Sequence, residues 1–207
     1  MYDFRETSET AKYLKIDKII LHEQYNNKTL ANDIAIIKVA DPIPFDVDNT
    51  ISPICLPSNS LHVHENVEVT VCGWGTTIGG MENSSSLVLL EAVMKTITFE
   101  ECKKKYPNPK AISDKMICTL SNNQTLGNGN TCQGDSGGPL MYQHGTFTEQ
   151  IGIVSFSIKY CKPKAPTVFL RVTRIKLKSK NNDLLYGRDV VGSGFSSNCC
   201  CTGGGDG

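Results

Sequence analysis

The sequence carries no excess charge of either sign: Lys+Arg and Asp+Glu number 21 each over 207 residues. Without a net field nothing draws it to nucleic acid or to a membrane surface, so any partner is recognised locally. It also lacks an apolar run long enough to span a bilayer, and its opening, Met1-Tyr2-Asp3-Phe4-Arg5-Glu6, is polar where a secretory leader is apolar. There is no internal repeat and no C-x-x-C pair. The nine cysteines therefore read as disulfide formers in an oxidising compartment, and the odd count leaves at least one thiol without an internal partner. Cysteine usage and the polar opening disagree, and a sequence that begins partway into a secreted protein reconciles them.

What is present is enough apolar content, 39%, for one large or two small domains. Residues 14–22 and 33–39 read as strands around a polar, Asn-rich loop. Ile51-Ser-Pro-Ile-Cys-Leu-Pro57 has prolines on both sides of a cysteine, which suits an extended connector and not a central strand. From Asn66 the valines at 67, 69 and 71 alternate up to a Gly73-Trp74-Gly75 turn, the first strand of a new unit. Residues 87–97 form another, and Thr98 caps a short helix over 98–106 with Glu101 at the capping-box position. Short β-runs at 115–120, 138–143, 149–157 and 167–172, with Val69, Val71, Leu90, Ile151 and Ile153 expected in the core, have the rhythm of an all-β barrel. Asn27, Asn83 and Asn123 open N-x-S/T tripeptides and are glycosylation candidates. From 175 onward the composition turns Gly- and Ser-rich, which predicts an aberrant tail without regular structure over 175–207. Its adjacent cysteines at 199–201 lack the spaced second pair of a zinc site, so no metal and no cofactor is expected.

The chemistry concentrates in Thr131-Cys132-Gln133-Gly134-Asp135-Ser136-Gly137-Gly138-Pro139-Leu140. Glycines at 134, 137 and 138 permit backbone angles closed to other residues and let a ligand approach the main chain. A serine hydroxyl there can attack a carbonyl whose developing charge the N–H groups of Gly134 and Ser136 receive, an oxyanion hole. The bland alternative is a Gly-Ser loop closed by a disulfide. Cys132 to Leu140 resembles the nucleophile segment of chymotrypsin/trypsin-type serine proteases. Ser155-Phe156-Ser157 with Cys161 resembles their substrate-binding strand and its cysteine, and Asn32-Asp33-Ile34-Ala35 resembles their aspartate motif.

That resemblance, to a secreted arthropod-type member truncated at its N-terminus, implies a trypsin-like double β-barrel with the N-terminal barrel incomplete. Residues 1–50 would be its remnant, 51–65 the connector and 66–174 the nearly complete C-terminal barrel. It implies a serine endopeptidase with Ser136 as nucleophile and Asp33 orienting a histidine. In the template that histidine precedes the aspartate by about 45 residues, and only 32 precede Asp33 here. His22, His62, His64 and His144 all read as bland surface or strand residues, so the chain alone is expected to be inactive. By the same resemblance Asp135 would be the carboxylate that pairs with the amine freed on maturation. Asn130, Ser157 and Thr167 would form the specificity pocket, narrow and without the carboxylate that favours basic residues. The resemblance pairs Cys102 with Cys118 and Cys132 with Cys161, gives Cys55 the place of a tethering cysteine, and leaves Cys72 over. It implies an extracellular monomer with polypeptide substrates and protease inhibitors as partners. A non-catalytic homologue acting as a binding or regulatory module is the competing reading.

Overall fold

The computed structural model describes residues 3, 11–43, 45, 51–57, 62–121, 129–158, 161, 165–174, 177–178 and 184–185. Near the N-terminus β1 (Ile16–Leu21) and β2 (Ala35–Val39) pair antiparallel, with Ile19 opposite Ile37 and Ile20 opposite Ile36. The period of two sorts their apolar residues onto two faces. Ile36, with Ile34, packs against Leu170 of the barrel. On the opposite face Ile19, Leu21 and Ile37 are 55, 67 and 60% exposed.

Six strands close into a barrel: β3 (Glu68–Gly73), β4 (Leu90–Ile97), β5 (Met116–Ser121), β6 (Pro139–His144), β7 (Phe147–Ser157) and β8 (Thr167–Arg171), ordered β3-β4-β5-β8-β7-β6. Closure leaves no unpaired edge. Val69, Val71, Met94, Ile117, Leu140, Ile151, Val154 and Phe169 fill the interior. Below it α1 (Phe99–Lys105) starts where Thr98 Oγ1 accepts from the Glu101 N–H at 3.2 Å. The helix buries Cys102 among Ile97, Ile112, Met116, Cys118 and Val168, and the Cys102–Cys118 disulfide fixes it to β5. The 51–57 segment meets the barrel at Cys55, whose carbonyl accepts from the Gln150 N–H at 2.9 Å.

Three expectations need correction. Leu90 is 43% exposed; it has the inward parity of Met94 and Thr96 but stands at the barrel mouth opposite Gly73, which has no side chain to cover it. Ile153 is only half-buried and Val154 takes the core position, because the β6–β7 register shifts between Leu140 and Met141 and changes the phase of β7. Regular structure does continue past 175, where Leu177–Lys178 (β9) pairs antiparallel with Leu184–Leu185 (β10).

Candidate active site

Ser136 is carried between two consecutive tight turns. The Asp135 N–H donates to Cys132 O at 3.1 Å and the Gly138 N–H to Asp135 O at 2.9 Å. Each turn has glycine in its third position, Gly134 at φ +98 and Gly137 at φ +84, conformations that a side chain would strain. The second turn is sutured to β7 by Gly137 N–H to Val154 O and Val154 N–H to Gly138 O, both 2.9 Å. Ser136 is left exposed at its apex. Among the described residues neither the Gly134 nor the Ser136 N–H has an acceptor, so both donors stand available beside the hydroxyl.

Asp135 turns the other way. Its Oδ1 accepts from the Gly75 N–H at 2.9 Å and its Oδ2 from the Cys132 N–H at 2.8 Å. A Cβ on Gly73 or Gly75 would collide with this carboxylate, which is the physical reason for glycine on both sides of Trp74. The Thr76 N–H donates to Gln133 O at 2.8 Å, and the Cys132–Cys161 disulfide closes the same loop from the far side. Burial, Glu91 and Asp135 together raise the pKa of the Cys72 thiol.

Asp33 sits on the hairpin, half-buried just before β2. Its Oδ2 accepts from Ser155 Oγ of β7 at 2.6 Å across 122 residues of sequence, and no donor among the described residues reaches its Oδ1. Ser155 as the anchor of the acid is what sequence reasoning missed; a lone hydroxyl in the apolar stretch Ile151–Phe156 was the signal available. The histidines lie in two places. His22 Nδ1 accepts from the Gln24 N–H at 3.1 Å. His62, His64 and His144 gather around Tyr142. His64 departs from the bland surface reading: it is 3% exposed and its Nε2 has no partner among the described residues.

The residues expected at the pocket base come together. Asn130 Nδ2 donates to Ala165 O at 3.3 Å, and its Oδ1 accepts from the Thr131 N–H at 3.0 Å and from the Thr167 hydroxyl. Thr131 Oγ1 donates in turn to Thr167 Oγ1 at 3.1 Å. Thr131 and Thr167 are buried, and Ser157 stands opposite Thr167 in the β7–β8 register. Thr131 was not foreseen. Asn27 and Asn83 are exposed, and Asn123 lies outside the described residues. Among those residues no group of three His, Cys, Asp or Glu is placed to hold a metal ion, and no helix is long and apolar enough to cross a membrane.

A closed six-stranded barrel bearing this serine loop, with a second sheet packed beside it, is the architecture of trypsin-like proteins. The sequence model described as Trypsin matches residues 1–178, and the chain belongs to that family. It is 34% identical over 169 residues to the clotting factor G beta subunit of Tachypleus tridentatus, a match covering 77% of this chain and 52% of that protein. It is 35% identical over 160 residues to human transmembrane protease serine 11B, covering 77% and 37%. The chain thus spans about half or less of the length of these curated relatives.

Proposed function

We propose that the protein is a secreted serine endopeptidase acting through an acyl-enzyme, with Ser136 as nucleophile and the Gly134 and Ser136 N–H groups receiving the oxyanion. Asp33 orients an imidazole contributed from outside these 207 residues. The observation that supports this most is the state of the Asp33 carboxylate: one oxygen is held by Ser155 and the other meets no donor among the described residues. Anchoring one oxygen fixes the plane in which the second accepts an imidazole N–H, which sets the tautomer that removes the Ser136 proton. Polypeptides are the substrates. Asn130, Thr131 and Thr167 spend their polar groups on one another and on Ala165 O, so the pocket offers no carboxylate to Lys or Arg and favours small or medium apolar residues.

The test uses the longer, matured protein beside this chain. In the longer form Ser136→Ala and Asp33→Asn are each expected to lower kcat/KM by at least about 10³-fold, and unchanged turnover in either would overturn the roles. The 207-residue chain is expected to resist an organophosphorus probe, since no activated hydroxyl is available. Rapid stoichiometric labelling of Ser136 in this chain would show that one of its own residues supplies the base. A longer form that binds substrate but never cleaves it would favour the binding-module reading.

A further inference from the structure

The acid depends on its neighbour for its aim. Asn32 is 7% exposed and holds φ +56, a left-handed conformation that asparagine tolerates better than other side chains. The Ile34 N–H donates to Asn32 O at 2.9 Å, closing a three-residue turn with Asp33 at its centre. The Asn32 side chain uses both of its polar ends. Nδ2 donates to Gln24 O at 2.9 Å, within the loop joining β1 to β2, and Oδ1 accepts from Lys115 Nζ at 3.2 Å, from the loop that enters β5. The backbone of Lys115 is itself held, its carbonyl accepting from the Arg171 N–H at 2.8 Å at the end of β8.

We propose that Asn32 and Lys115 are positioning residues for the Asp33 carboxylate, a brace from barrel to hairpin that keeps Oδ2 on Ser155 and leaves Oδ1 in a fixed direction. The proposal rests on the reading of Asp33 given above. Two bonds cross the boundary close together, Lys115 to Asn32 and Ser155 to Asp33, on adjacent residues of one tight turn. Rotation of that turn breaks both, so each bond holds the geometry that the other needs. Among the described residues Lys115 makes no hydrogen bond or ion pair with Asp33 or Ser155, so no direct bond couples Lys115 to Ser155, and the Asn32→Gly cycle, which leaves the Lys115 charge in place, separates the turn from through-space charge effects.

A double-mutant cycle on the 207-residue chain tests this, with unfolding followed by the fluorescence of its one tryptophan, Trp74. Ser155→Ala is expected to shift the unfolding equilibrium about tenfold in the parent chain, as loss of a hydrogen bond to a carboxylate does. In the Lys115→Met background the same change is expected to shift it less than about twofold, and Lys115→Arg should restore the parent response. Lys115 is exposed, so these variants fold. Asn32→Gly, which keeps the left-handed backbone and removes the amide, repeats the cycle from the other side. An equal effect of Ser155→Ala in the parent and in Lys115→Met overturns the brace and leaves the Asp33 reading standing. No effect of Ser155→Ala in the parent chain removes the Asp33–Ser155 bond, and the reading of Asp33 falls with it.

Discussion

At neutral pH His64 holds an uncharged imidazole where an imidazolium would be poorly solvated. It is 3% exposed, at φ +50, with its ring 4.0 Å from that of His62 and 5.1 Å from that of Tyr142. Burial is the main reason its pKa falls from 6.5 to about 4, and the charges of His62, Arg171 and His144 act in the same direction, against a hydrogen bond to the His62 backbone. Arg171 is fixed close by, its Nη1 donating to Val63 O at 2.9 Å and its Nη2 to Met116 O at 3.4 Å. Between the two pKa values the unfolded chain binds a proton that the folded chain refuses. Stability is therefore flat above about pH 6.5, falls as pH drops towards 4, and levels off below; at 1.36 kcal/mol per unit the loss is about 3 kcal/mol. Urea unfolding followed through Trp74 at several pH values between 7.5 and 4.5, for the parent and for His64→Phe, isolates this group because carboxylates common to both cancel. The gap between the two proteins should close or reverse by about 2.5 kcal/mol as pH falls to 4.5. A gap constant to within about 0.5 kcal/mol would refute the burial argument.

Other perturbations probe the supports of the site. Gly75→Ala places a Cβ 2.5 Å from the Asp135 carboxyl carbon and should destabilise by about 2 kcal/mol or more; a neutral result in denaturant unfolding would mean that the carboxylate moves freely. Removing Cys102–Cys118, which spans 16 residues, should cost about 3 kcal/mol, and removing Cys132–Cys161, which spans 29, slightly more; a reversed order would point to native-state effects. Thr96→Val keeps the shape of a fully buried side chain but strips the acceptor that Val67 N–H meets at 2.9 Å, so a loss of about 1–3 kcal/mol is expected in the same assay. Native-state hydrogen exchange should find the β1–β2 amides opening at lower free energy than those of β4 and β5; equal values would make hairpin and barrel one cooperative unit.

The barrel was legible because a period of two over Val67–Val71, with glycine turns between runs, leaves few alternatives, and α1 was legible from Thr98 and the prolines beyond it. Leu90 and Ile153 were misread for a shared reason: alternation gives parity but shows neither where a strand leaves the barrel mouth nor where a register shift changes its phase. His64 was misread because it packs against Tyr142 and lies close to Arg171, residues far from it in sequence. Ser136, Asp135 and Asn130 were read as one local constellation with fixed offsets. Ser155 and Lys115 could not be assigned their partners that way, since the bonds to Asp33 and Asn32 span 122 and 83 residues and no local pattern encodes them.

The two halves of the site are supported very unequally. Ser136 and Asp135 are tied by turn hydrogen bonds, a disulfide and the Gly-Trp-Gly turn to a barrel with a filled interior. Asp33 rides on a hairpin whose packing against the barrel centres on Leu170 with Ile34 and Ile36, and whose far face exposes Ile19, Leu21 and Ile37. Apolar side chains exposed to that extent on one sheet face contribute little to holding the hairpin in place. The two polar bonds at Asn32 and Asp33 therefore carry a larger share of the orientation than comparable bonds do inside the barrel. In the acyl transfer proposed above the acid tolerates little misplacement, because an error of about 1 Å costs about 10²-fold in rate.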